Sequence, residues 1–82
     1  MRTVEQSFTL VKNLKYLRNK NGLSQAALAK IIGMPKGTYG TFECSGYGVG
    51  PERLQKIYDF YKIDEKTALM NHQAFIKKIE GL

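Results

Sequence analysis

The chain is 82 residues long with a net charge of +6. That length admits one domain, which buries roughly 60% of the surface its unfolded form exposes, too little for a deep substrate cavity and a reason to set most enzyme classes aside. One cysteine (Cys44) and one histidine (His72) exclude an internal disulfide and a zinc site, so the reading is a metal-free, cofactor-free, cytoplasmic protein.

The predicted elements follow one another as helices. Val4, Phe8, Val11, Leu14 and Leu17 recur at three- and four-residue steps, which predicts a first helix over residues 4–20. Thr3 and Gln6 are spaced for a capping box at its start, and Gly22 stands where a left-handed cap ends it. Ser24 is suited to cap a second, short helix with Leu28, Ile31 and Ile32 inward, closed by Gly33. Pro35 is acceptable in the first turn of a third helix, about Pro35 to Glu43, that carries Tyr39 and Phe42. Gly50-Pro51 repeats the start signal for a fourth helix striped by Leu54, Ile57, Tyr58 and Tyr61. Asp64 caps a fifth with Ala68 and Leu69, and Phe75, Ile76 and Ile79 predict a sixth turn or two. No segment alternates at period two long enough to compete as a strand. No run reaches the length of a membrane span, and the residues Met1 to Gln6 lack the apolar stretch of a signal peptide.

Charge is distributed unevenly along these elements. Residues 1–41 hold seven bases against one acid, and residues 42–82 hold six of each, so the whole net charge lies in the first half. An N-terminal half of that sign suits a polyanion such as nucleic acid, although solvated lysines also serve solubility.

Between Gln25 and Cys44 the sequence meets the demands of two short helices crossing at a steep angle over a tight turn. Ala29 is small enough for the close contact, Gly33 suits the turn, and Leu28, Ile32, Met34, Tyr39 and Phe42 lock the unit to a core. These positions, with Leu17-Arg18, Gly22-Leu23-Ser24-Gln25, Thr38-Tyr39, Phe42-Glu43, Pro51, Leu54 and Ile63-Asp64, closely resemble the Cro and phage-repressor family of helix-turn-helix DNA-binding proteins. The resemblance covers roughly residues 8–70.

The resemblance implies roles for individual positions. Gln25, helped by Ser24, is expected to contact a backbone phosphate from the start of the second helix. Arg18 and Glu43 match the family's ion pair between the first helix and the end of the recognition helix. That pair is architectural, or also presents the guanidinium to a phosphate. The recognition helix is expected to enter the major groove by its N-terminal turns, with Lys36, Gly37, Thr38, Gly40, Thr41 and Cys44 outward. Lys36 suits guanine O6 or N7, or alternatively a phosphate, and Thr41 offers a methyl to thymine or a hydroxyl to a base or phosphate.

The chain departs from the family where Gly37 and Gly40 replace larger polar residues, each costing the helix about 0.8–1 kcal/mol relative to alanine. Direct readout is then sparse, and DNA shape carries more of the discrimination, or this face serves another partner. Tyr39 is bulkier than the aliphatic residue usual at its position. The stretch Gly46-Tyr47-Gly48-Val49-Gly50 lacks the preceding strand and charged partners of a nucleotide-binding loop, and reads as a connection beside the DNA backbone or a plain linker. His72 reads as a surface residue, and Cys44 as a partly buried, inert thiol.

The resulting expectation is an all-α fold. A compact five-helix helix-turn-helix domain spans residues 1–70, and a helical extension, 71–82, serves dimer or partner contacts. Tyr58, Phe60, Tyr61, Phe75, Ile76 and Ile79 exceed what one small core needs, which points to a homodimer. The function that follows is a sequence-specific regulator, a repressor of bacterial, phage or mobile-element type, on double-stranded DNA with an inverted-repeat operator. The alternative is an antitoxin or interaction module that binds a partner protein through residues 71–82.

Overall fold

The computed structural model describes residues 3–81 and is built from helices throughout, with no strand among those residues. The Thr3 hydroxyl accepts from the Gln6 N–H at 3.0 Å while the Gln6 side chain accepts from the Thr3 N–H at 2.9 Å, closing the predicted capping box. It opens α1, Val4–Lys20. The buried stripe of α1 differs from the expected one: Ser7, Leu10, Val11, Asn13, Leu14, Leu17 and Arg18 face inward, and Val4 and Phe8 stay 59% and 55% exposed. An apolar periodicity skips Ser7 and selects Phe8 in its place. Ser7 is inside because the backbone at Gly46 comes so close that a Cβ there would stand 2.8 Å from the Ser7 Cβ. A larger residue at either position would push the end of the third helix off the first.

Ser24 caps α2, Gln25–Ile32, by accepting from the Ala27 N–H at 3.0 Å. Leu28, Ala29 and Ile32 are buried, but Ile31 is 51% exposed, on the flank of a helix too short to bury more than one side. Gly33 ends α2 with φ 74°, a left-handed geometry that costs glycine nothing. α3 runs Lys36–Ser45, starting one residue later and ending two residues later than expected. Pro35 keeps extended geometry (ψ 142°) and serves as the cap, and the helix continues until Gly46 turns left-handed at φ 80°. α4, Pro51–Tyr61, α5, the single turn Glu65–Ala68 capped by Asp64, and α6, His72–Glu80, complete the chain. Leu69 caps α5 and stands just outside it.

One core joins all six helices. Leu10, Leu14, Leu28, Tyr39, Phe42, Ile57, Ala68 and Phe75 are sealed from solvent, with Ala29, Ile32, Met34 and Leu54 nearly so. At about 25 cal/mol per Å2 this apolar burial is the main favourable contribution to folding. The surplus of apolar residues expected in the last third is smaller than the composition implies. Tyr58 and Phe75 are buried in this core, Tyr61 and Ile79 pack against it, Ile76 is half-buried, and only Phe60 among the six is exposed, at 40%.

Asn13 fastens the last two helices to α1. Fully buried, its amide donates to the carbonyls of Ala68 and Met70, each at 2.8 Å, at the junction of α5 and α6. Since that amide group donates twice, its oxygen is the acceptor 2.7 Å from His72 Nδ1, which fixes the proton on Nδ1. His72 is therefore half-buried and structural, where a surface residue was expected. Farther along, the Tyr16 hydroxyl donates to Glu80, and Lys20 Nζ donates to the same carboxylate at 2.8 Å. Replacing Asn13 with alanine strands two buried carbonyls and the imidazole, so Asn13→Ala is expected to lower unfolding stability by about 3 kcal/mol in urea denaturation. A loss below about 0.5 kcal/mol would mean that Phe75 and the contacts to Glu80 hold α6 without Asn13.

Candidate nucleic-acid interface

Three helices meet at one carboxylate. Glu43, near the end of α3, has a side chain only 2% exposed, and Arg18 of α1 approaches it with Nε 2.7 Å from one oxygen and NH2 3.1 Å from the other. The third guanidinium nitrogen, NH1, donates to the Leu23 carbonyl at 2.7 Å, in the link between α1 and α2. From the first turn of α2, Gln25 Nε2 donates to Glu43 Oε1 at 3.0 Å. Every nitrogen of Arg18 thus has an acceptor inside the protein, and its side chain is 10% exposed. The arrangement favours the architectural alternative for the pair. Its bidentate geometry holds α3 at a fixed angle to α1 and α2.

The electrostatics follow from the packing. Burial pushes the Glu43 carboxyl up, but the Arg18, Tyr39 and Gln25 groups around it outweigh burial and hold its pKa below the ordinary value of 4.5. The hydroxyl of fully buried Tyr39 lies beside the same carboxylate without a hydrogen bond of good geometry. Burial first, and the negative charge of Glu43 second, push the Tyr39 pKa far above the ordinary tyrosine range. Tyr61 is raised to about 12 by burial against the same cluster.

Above this cluster the outer face of α3 forms a shallow groove lined by Gln25, Lys36, Gly37, Gly40, Thr41, Cys44 and Ser45. It gathers Lys36, Gly37, Gly40 and Thr41 with Gln25 of α2. Thr38 is half-buried and Ser24 is occupied as the cap of α2, and neither lines it. Cys44, expected on the outward face, and Ser45, which residue order did not point to, complete the lining. Cys44 is exposed, contrary to the expected partly buried thiol, because α3 extends past Glu43 and carries it around to the outer face. Ser45 donates to the Thr41 carbonyl at 2.8 Å and accepts from the Tyr47 N–H at 3.2 Å, finishing the helix. The signal for this was a serine just before the glycine stop.

The groove offers few polar atoms. Lys36 is exposed at the first position of α3, where Pro35 supplies no side-chain cap and the free N–H groups of the first turn add positive potential. The Thr41 hydroxyl donates back to the Gly37 carbonyl at 3.0 Å, so its methyl and lone pairs are what remain outward. A Cβ at Gly37 would meet nothing within 4 Å, whereas one at Gly40 would stand 3.3 Å from Gln25 Oε1. Gly40 is small because the Gln25 side chain lies across it. Among the described residues no three His, Cys, Asp or Glu side chains are grouped to hold a metal, and no helix is long and apolar enough to cross a membrane.

Because the native Glu43 pKa lies below the unfolded value, its stabilising contribution is complete above about pH 4.5 and is lost as pH falls through the lower native value. Glu43→Gln leaves the Arg18 charge buried without its counterion and is expected to cost about 3 kcal/mol at pH 7. Urea denaturation at neutral and acid pH is expected to show that deficit shrinking below pH 4.5. A deficit independent of pH would place the charge of Glu43 outside the cluster's energetics.

Comparison with known proteins agrees with this geometry. A helix-turn-helix family profile matches residues 14–66, from the middle of α1 through the start of α5, and so takes in Arg18, Gln25 and Glu43. Searches of curated proteins and of solved structures return no match. The profile spans well over half of the chain, and within it two short helices joined through Gly33 are locked by Ala29, Tyr39 and Phe42. The chain belongs to the helix-turn-helix family of Cro and phage-repressor type, a family of DNA-binding transcription regulators.

Proposed function

We propose that the protein is a cytoplasmic, sequence-specific repressor that binds an inverted-repeat operator as a homodimer, with α3 as the recognition helix. The observation that carries this reading is the exposed groove on α3, in which Lys36 and Thr41 stand together over a helix pinned from behind by Glu43. Lys36 is assigned to guanine O6 or N7 and the Thr41 methyl to thymine, with the backbone at Gly37 and Gly40 close to the base edges. The first-turn N–H groups of α2, beside exposed Ser24, suit a phosphate.

A homodimer supplies the second reading head that one short helix needs, with half-sites about 34–36 Å apart. The exposed apolar side chains of Val4, Phe8, Ile31, Tyr47 and Phe60 are the available material for a subunit contact. The antitoxin alternative, in which a segment orders on a partner protein, gains no support from α6, since Phe75 is fully buried against the rest of the chain.

Selection of bound duplexes from a random pool at about 0.15 M salt tests the reading, because general attraction to phosphates is weak there. An inverted repeat with half-site centres about one helical turn apart is expected, together with a dimer mass on that DNA in sedimentation. Lys36→Ala and Thr41→Ala are each expected to reduce discrimination between operator and random duplex about tenfold. Absence of any enriched motif, or equal losses on operator and random DNA, would contradict the assignment.

A further inference from the structure

Gln25 carries one chemical fact that its expected role as a phosphate contact does not use. The ionised Glu43 carboxylate only accepts hydrogen bonds, so the Gln25 group 3.0 Å from it must be the Nε2 amine, and the orientation of the carboxamide is determined. What Gln25 leaves free is one Nε2 hydrogen and Oε1, its only acceptor. That oxygen lies across Gly40, 3.3 Å from where a Cβ would stand, and Gln25 lines the groove together with Lys36 and Thr41.

Phosphate oxygens also only accept, so Oε1 cannot bond to the DNA backbone, and a phosphate contact falls to the second Nε2 hydrogen, leaving Oε1 for a different partner. The donors that duplex DNA presents in its major groove are the exocyclic amines, adenine N6 and cytosine N4. On this basis, and resting on the DNA-binding reading above, we propose that Gln25 is a base-reading residue whose Oε1 accepts from an adenine or cytosine amine. Gly40 is its enabling partner: with no side chain at position 40, the base edge can approach the carboxamide over the bare helix. The groove then presents three different probes, a donor at Lys36, an acceptor at Gln25 and a methyl at Thr41. The clamp to Glu43 keeps the acceptor in place before DNA arrives, so little side-chain freedom is lost on binding. A glycine on the recognition helix thereby makes room for a reader that comes from the neighbouring helix.

The test uses the operator recovered by selection, rebuilt with purine in place of single adenines and 2-pyrimidinone in place of single cytosines, which removes one amine at a time. Binding is measured for the unaltered protein, Gln25→Ala and Gly40→Ala. At one position in each half-site, deleting the amine is expected to weaken the unaltered protein about tenfold, the size of a single net hydrogen bond. The same deletion is expected to leave Gln25→Ala unaffected. Gly40→Ala displaces Oε1 while favouring the helix, and is expected to lose the same positional preference without loss of folding. Equal effects of every amine deletion on the unaltered protein and on Gln25→Ala would overturn the proposal. So would a Gln25→Ala loss that is the same on operator and random duplex, the mark of a phosphate contact. An operator explained by Lys36 and Thr41 with no amine coupled to Gln25 defeats this proposal alone, whereas no operator at all defeats the sequence-specific reading and this proposal with it.

Discussion

The Glu43 carboxylate is the point on which the geometry of the molecule depends. A charge with 2% exposure is tolerated only when its lone pairs are filled, and here a guanidinium from α1 and an amide from α2 fill them. The two groups come from different helices and the carboxylate from a third, so satisfying the charge fixes the relative placement of all three. An apolar residue in its place would pack, but it would accept other angles between α3 and its neighbours. The ion pair supplies orientation, while Leu10, Leu28, Tyr39, Phe42 and Ile57 supply most of the burial.

That orientation matters because α3 itself carries little with which to recognise anything. Its outer face has two glycines, a threonine whose hydroxyl is tied to its own backbone, and one lysine. A weakly endowed helix must be presented accurately, since contacts to base edges depend on placement to well under an ångström. Presentation comes from below through Glu43 and from the ends through Pro35 and Gly46, which set where the helix begins and stops. The close approach of Gly46 to Ser7 and the Asn13 bonds to Ala68 and Met70 tie the same α1 to the rest of the fold. α1 is thus the frame on which the outer face of α3 and the C-terminal helix are both mounted.

Much of this was legible from residue order, because the determinants are local. The Thr3–Gln6 capping box, the Ser24 cap, the Gly33 turn and the buried Ala29, Ile32, Tyr39 and Phe42 each depend on short spacings that the structure bears out. The pairing of Arg18 with Glu43 was legible by resemblance to a family, and the hydrogen bonds of Arg18 now show it turned inward. The misses have another character. Ser7 replaced Phe8 in the buried stripe because a backbone 39 positions later presses on it, and His72 became structural because Asn13 selects it from 59 positions away. Ile31 turned outward on the flank of an eight-residue helix, and Cys44, expected outward but partly buried, is exposed because α3 extends past Glu43. Periodicity along one helix carries no information about which neighbour arrives on which side.

The measurement closest to the central claim is a double-mutant cycle on Arg18→Met and Glu43→Leu in urea denaturation. If the pair sets the position of α3, each single change strands a buried charge and costs more than the double change. A coupling of about 3 kcal/mol is then expected. Additivity to within about 0.5 kcal/mol would contradict it, and would show that α3 is held by its apolar contacts alone.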